Sequence, residues 1–132
     1  MKVEGSCWCG KISFEGEVDP GMVGICHCTD CQTLSGTAFR AGIATPAEKF
    51  VLRGTPKTFI KTAASGRTRV HAFCSDCGTP IYSAASENTP NYSLRVGTLK
   101  QRAQLRPVRQ IWCQSALPWS MNIEAVPKLD RQ

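Results

Sequence analysis

Cys26-His27-Cys28-Thr29-Asp30-Cys31 places three thiols within six residues, and the reading of this stretch decides the fold. Thiolates two or three positions apart suit a tetrahedral zinc ion, because one short turn can then offer two sulfurs to one metal. Working outward, two further clusters flank it: Cys7-Trp8-Cys9-Gly10 and Cys74-Ser75-Asp76-Cys77-Gly78. Of the eight cysteines only Cys113 stands alone. Seven clustered ligands are one short of two closed four-cysteine sites.

Bulk properties fit this reading. At 132 residues the chain has the length of one domain, with room for a modest core. Its 42% hydrophobic and 20% charged content is that of a folded, water-soluble protein rather than a disordered one. The start, Met1-Lys2-Val3-Glu4-Gly5-Ser6-Cys7, lacks a signal-peptide apolar run, and no stretch is long and apolar enough to span a bilayer. The expectation is therefore a cytoplasmic protein with no membrane partner, in a compartment where clustered cysteines bind metal rather than pair as disulfides.

The remaining sequence reads as short strands. Lys11 to Val18 alternates, with Ile12, Phe14 and Val18 in phase. Residues 39–44, 49–53, 57–63, 68–73, 80–84 and 92–96 read similarly, separated by turn signals such as Asp19-Pro20-Gly21 and Gly54-Thr55-Pro56. One helix start stands out at Thr29-Asp30-Cys31-Gln32, with Cys28 or Thr29 near its N-cap and Gly36 as its stop. The expected fold is all-β: a sandwich or open barrel of short antiparallel strands, stapled by zinc, with at most one short helix.

The flanking glycines divide the seven ligands. Gly10 follows Cys9 and Gly78 follows Cys77, and glycine there permits the positive φ that curls a turn's amides toward its sulfurs. Cys7, Cys9, Cys74 and Cys77 are therefore paired as one closed structural site. Positions 10 to 73 separate its halves, so metal binding there would add folding energy. Cys26, Cys28 and Cys31 form the second set, followed by Gln32 instead of glycine. Three protein ligands with an exchangeable fourth is the pattern of a catalytic zinc. Cys31 is expected in the first helical turn, where free amides and the helix dipole favour thiolate.

The fourth place has four candidates: water, a substrate thiolate, His27 or Cys113. His27, between two ligands on an extended segment, points away from them and reads as a supporting donor or a surface residue. Cys113 reads as a small core residue, and His71, between Val70 and Ala72, as a satisfied strand histidine. Three thiolates make zinc a poor generator of hydroxide but a good holder of a thiol substrate as thiolate. The chemistry such a site suits is thiol transfer to a carbonyl carbon, or its reversal.

The order Cys-x-Cys-Gly, Cys-His-Cys-x-x-Cys, then Phe73-Cys74-x-x-Cys77-Gly78-Thr79-Pro80 resembles the glutathione-dependent formaldehyde-activating enzymes, a group that includes centromere protein V. Gly36, Phe39, Val96-Gly97-Thr98-Leu99 and Pro118-Trp119 extend the likeness over nearly the whole chain. The resemblance implies a single domain over residues 1–132 with the zinc-stapled β-tent fold. It implies two zinc ions, one structural on Cys7, Cys9, Cys74 and Cys77 and one catalytic on Cys26, Cys28 and Cys31. It also implies a carbon–sulfur lyase that joins glutathione and formaldehyde into S-hydroxymethylglutathione. Arg40, Arg69 and Arg95 are the candidates to meet the substrate carboxylates, since guanidinium matches carboxylate bidentately. The chain departs from the family pattern in two places. Lys100 stands where many relatives carry aspartate, and Pro107-Val108-Arg109-Gln110 where they often carry histidine.

The net charge of +6 is uneven. No acidic residue lies between Glu48 and Asp76 or between Glu87 and Glu124. This supports a second reading, a zinc-stabilised binding module that contacts nucleic acid or protein through a basic face.

Overall fold

Short runs with every second residue apolar, broken by glycine and proline turns, leave little for this chain to form except strands. The computed structural model, which describes residues 1–132, has ten of them and one α-helix. In chain order they are β1 (Lys2–Ser6), β2 (Ser13–Glu17), β3 (Gly24–Cys26), α1 (Thr29–Ser35), β4 (Arg40–Pro46) and β5 (Val51–Arg53). Then follow β6 (Lys57–Thr62), β7 (Thr68–Phe73), β8 (Pro80–Ala85), β9 (Asn91–Arg95) and β10 (Arg109–Ile111). No helix is long and apolar enough to cross a membrane.

The strands form two open sheets, one of three strands (β1-β2-β5) and one of seven (β10-β3-β4-β9-β8-β7-β6). The expectation of a mostly β fold with one short helix holds. Pairing is antiparallel except at one edge, where β10 runs parallel to β3 with Gln110 opposite Ile25 and Ile111 opposite Cys26. Three strands, β1, β3 and β10, carry too weak a sequence pattern to be expected. β1 alternates only through Val3 and Gly5, β3 is three residues long, and β10 is exposed along its whole length.

The core lies between the sheets. Phe14 of β2 shares one core cluster with Ile43, Leu94 and Ile81 of the neighbouring strands β4, β9 and β8, and each is at most 1% exposed. Truncating Phe14 to alanine would cost about 3–5 kcal/mol on cavity grounds. Gly5 lies opposite Phe14, whose ring fills the space that a Cβ would need. Thr45 ties the sheets together. Its buried hydroxyl donates to the Glu17 carbonyl at 2.8 Å and accepts from the Glu17 amide at 3.1 Å.

Lys100, in the segment after β9, ties that segment to β1. Its amide donates to the Glu4 carbonyl at 2.8 Å and its side chain pairs with the Glu4 carboxylate. Lys100 thus serves the β1 edge and does not line the large cavity described below.

Candidate metal centres and the adjoining cavity

The β1–β2 turn and the β7–β8 turn carry two cysteines each, one turn from either sheet. The Sγ atoms of Cys7, Cys9, Cys74 and Cys77 all lie within 4.8 Å of one another, and no disulfide forms. Cys7 and Cys9 stand 3.5 Å apart, Cys9 and Cys74 3.7 Å. Tetrahedral zinc with Zn–S of about 2.3 Å requires sulfurs about 3.8 Å apart, so the donor set fits. The glycines act as their position suggests. Gly10 (φ +79°) donates its amide to the Cys7 carbonyl at 3.1 Å, and Gly78 (φ +74°) to the Cys74 carbonyl at 2.8 Å.

The protons of this cluster also point to a cation. The Thr79 hydroxyl, 3.2 Å from the Cys77 sulfur, and the Thr79 and Cys9 amides hold the Cys77 thiol down to about 5. The Lys11 amide pulls Cys9 down, but desolvation and the sulfurs of Cys7, Cys74 and Cys77 push it up to about 12. Four touching sulfurs cannot all be thiolates unless a positive ion sits among them.

The second cluster is built where β3 runs into α1. Cys26 ends β3, Cys28 is the N-cap of α1 and Cys31 lies in its first turn, with the three Sγ atoms within 4.8 Å of one another. Gly36 ends the helix in the left-handed conformation, as its position suggests. The thiolate expectation shifts from Cys31 to Cys28. Burial drives Cys31 well up, opposed by the nearby Arg40. Burial also opposes ionisation of Cys28, yet the Cys31 side chain and amide, the latter 3.2 Å from the Cys28 sulfur, bring Cys28 below its ordinary value. Helix-start amides thus favour the thiolate at the cap rather than one turn in. Both clusters can hold zinc.

The two residues weighed as a fourth ligand lie elsewhere. His27 is outside the thiol set and fully buried, so it is no surface residue. Its Nε2–H donates to Gln110 Oε1 at 2.7 Å, its carbonyl accepts from Gln32 Nε2 at 2.8 Å, and Phe39 packs edge-on at 5.7 Å. Cys113, expected in the core, is exposed: it opens a short 3-10 turn just after β10, at the sheet edge. Pro107–Gln110 lies in the same segment, and its Gln110 is the residue that anchors His27.

A cavity of about 450 Å³ opens between α1 and strands β4, β6, β7 and β9, lined by Leu34, Ser35 and Thr37 on one side and Gly78 and Pro80 on the other. Arg40 and Arg95 both line it. Arg69 does not, and its guanidinium donates instead to the Ser83 hydroxyl at 3.3 Å. His71 is the satisfied strand histidine expected, and it lines the cavity as well. Its Nδ1 accepts from Arg95 Nη2 at 3.4 Å and its ring stacks on Phe59 at 5.2 Å. Burial and the charges of Arg95, Arg40, Lys61 and Arg69 hold His71 down to about 4, so it is neutral near pH 7. Phe59 and His71 are directly opposed across β6 and β7. The alternation of both strands was readable in the sequence, but their register was not.

A family model described as glutathione-dependent formaldehyde-activating enzyme matches residues 2–115. A crystal structure of a Rhodobacter sphaeroides protein shares the fold, with a TM-score of 0.62 at 20% identity, covering 81% of this chain and 98% of that one. No curated protein matches the sequence.

Proposed function

The chain belongs to the glutathione-dependent formaldehyde-activating enzyme family, and on that premise we propose that it is a zinc-dependent carbon–sulfur lyase. Its substrate would be the adduct of glutathione, or another thiol, with formaldehyde or a small aldehyde. One observation carries the reading: one thiol cluster has four members and the other three. Cys7, Cys9, Cys74 and Cys77 would hold a structural zinc, with Cys26, Cys28 and Cys31 holding the catalytic one. Zinc bound by three thiolates would supply a place where a substrate thiol stays ionised near neutral pH.

The chain's own residues account for the rest. The end of β3 and the cap of α1 fix the three sulfurs on rigid elements, and the His27–Gln110 bond secures the segment between them. Arg40, paired across the sheet with Cys26, offers a guanidinium to a substrate carboxylate at the border of cluster and cavity. In the synthetic direction the thiol sulfur bonds to the aldehyde carbon, the carbonyl π bond opens, and the thiol proton ends on the new hydroxyl oxygen.

The deciding experiment is zinc content by native mass spectrometry, with and without glutathione, beside hydroxymethyl-thioether formation measured against the uncatalysed rate. Two zinc ions, thiol-dependent retention at one site and a rate above background support the reading. One zinc indifferent to thiols and no rate above background would overturn it in favour of a binding module.

A further inference from the structure

Two guanidinium charges beside the three-thiol cluster have no carboxylate of their own. None of the six ion pairs includes Arg40 or Arg95. Arg95 is only 8% exposed, and its two hydrogen bonds go to neutral acceptors, the Ser93 carbonyl and His71 Nδ1, both at 3.4 Å. His71 is uncharged near pH 7, so the Arg95 charge is left whole. Burial and the charge of Arg40 push the Arg95 guanidinium down to about 9, which leaves it protonated near pH 7, and Cys31 is the neighbour that favours its charge. A buried cation in this condition is costly unless an anion joins it.

Strand register brings these charges to the cluster. Cys26 on β3 lies opposite Arg40 on β4, and Gly42, two positions along β4, lies opposite Arg95 on β9. Opposed residues share a sheet face, so Cys26, Arg40 and Arg95 stand on one face, and α1, which carries Cys31, packs against β4. The four-thiol cluster is supplied differently, because Lys11, the cation beside it, is paired with Asp76. Lys61, which favours the Cys28 thiolate, is also paired, with Asp30 at 2.7 Å. The unpaired positive charge therefore belongs to the three-thiol cluster. Zinc on three thiolates carries a single negative charge, which a thiolate in the fourth place doubles and a neutral ligand leaves alone. A fixed cation nearby lowers the cost of the anionic ligand and does nothing for the neutral one. We propose that Arg95, seconded by Arg40, is the counter-charge that makes this centre select an anionic fourth ligand, a thiolate, over a neutral one such as imidazole. Arg95 is thus a positioning residue that acts through the charge of the centre, not through a substrate carboxylate. The proposal deepens the lyase reading and rests on it for the open fourth place.

The test is optical titration of the cobalt(II)-loaded protein with 2-mercaptoethanol, a thiol without a carboxylate, and with imidazole. Sulfur-to-cobalt charge-transfer absorption reports a fourth thiolate, and the ligand-field bands report either ligand. In the parent, mercaptoethanol should raise the charge-transfer absorption. Arg95→Gln should weaken mercaptoethanol binding about 10-fold or more, the range over which one opposite charge stabilises an ionised acid, and leave imidazole binding unchanged. Arg95→Lys, which keeps the charge but loses the planar fork, should retain most of the thiol affinity. Arg40→Gln should show a smaller loss in the same direction, and it decides alone should the Arg95 variants fail to fold. Unaltered thiol affinity in Arg95→Gln, an equal loss in Arg95→Lys, or equal losses for thiol and imidazole overturn the proposal and leave the lyase reading standing. A parent protein that binds no thiol has no open fourth place, and the lyase reading then falls together with the proposal.

Discussion

Gln110 Oε1 accepts a 2.7 Å hydrogen bond from His27 Nε2–H across 83 positions of sequence, and the other ring nitrogen of His27 is buried without a partner. Beside the Gln32 side chain that donates to the His27 carbonyl, a side chain on the parallel edge strand therefore helps hold the segment between two cluster cysteines.

Removing that side chain should be felt in stability. Gln110→Ala leaves a fully buried imidazole with neither nitrogen paired, which costs about 1–3 kcal/mol. The urea midpoint of the zinc-loaded protein should fall accordingly. An unchanged midpoint would show that β10 does not secure the cluster.

The two clusters should respond differently to loss of a sulfur. Cys28→Ala is expected to lose one zinc of two and all activity above background while remaining folded. Cys74→Ala should fail to fold, because that cluster joins turns from both sheets and structural zinc contributes on the order of 10 kcal/mol. Metal analysis with circular dichroism checks both. Full activity in Cys28→Ala would end the lyase assignment.

Thr79 offers a subtler probe. Its hydroxyl accepts from the Trp8 amide at 3.1 Å and touches the Cys77 sulfur at 3.2 Å, bridging the halves of the four-thiol cluster. Thr79→Val should lower zinc affinity about 10- to 100-fold, as is usual when a partner of a ligand is removed. Competition with a chromogenic chelator would measure the difference.

Acid should weaken the fold partly through His71. Its folded-state value is lowered from 6.5 to about 4 by burial and by Arg95, Arg40, Lys61 and Arg69. Between those values the unfolded chain binds the proton and the folded one does not, so stability rises with pH across this window. The contribution is complete above pH 6.5 and is lost as pH falls toward 4. His71→Asn should therefore show a shallower loss of stability over this range in pH-dependent urea unfolding. Slopes that match the parent would exclude His71 as a contributor.

Much of the candidate site was legible before any fold was known. The four-and-three division of the thiols followed from Gly10 and Gly78, and both glycines adopt the positive φ that the argument required. The cap of α1 at Cys28 and its stop at Gly36 were equally local. Cys113 was misread, and the cavity beside His71 was not foreseen, for one reason. Whether a short residue is buried, or a strand histidine faces a cavity, depends on the neighbouring strand, and spacing along the chain does not specify that neighbour.

The sequence alone determined the two thiol clusters, the β class and the single helix. These rest on interactions within a few residues: sulfurs sharing a turn, alternating side chains, capped amides. Tertiary structure decided which distant segments meet. Antiparallel register set Phe59 against His71, the β4–β9 pairing brought Arg95 to the cavity that Arg40 lines, and the parallel edge delivered Gln110 to His27. Each depends on strand order and register, fixed by burial of the whole core. That is why the thiol clusters could be read from the chain, while the cavity and the buried arginine that lines it could not.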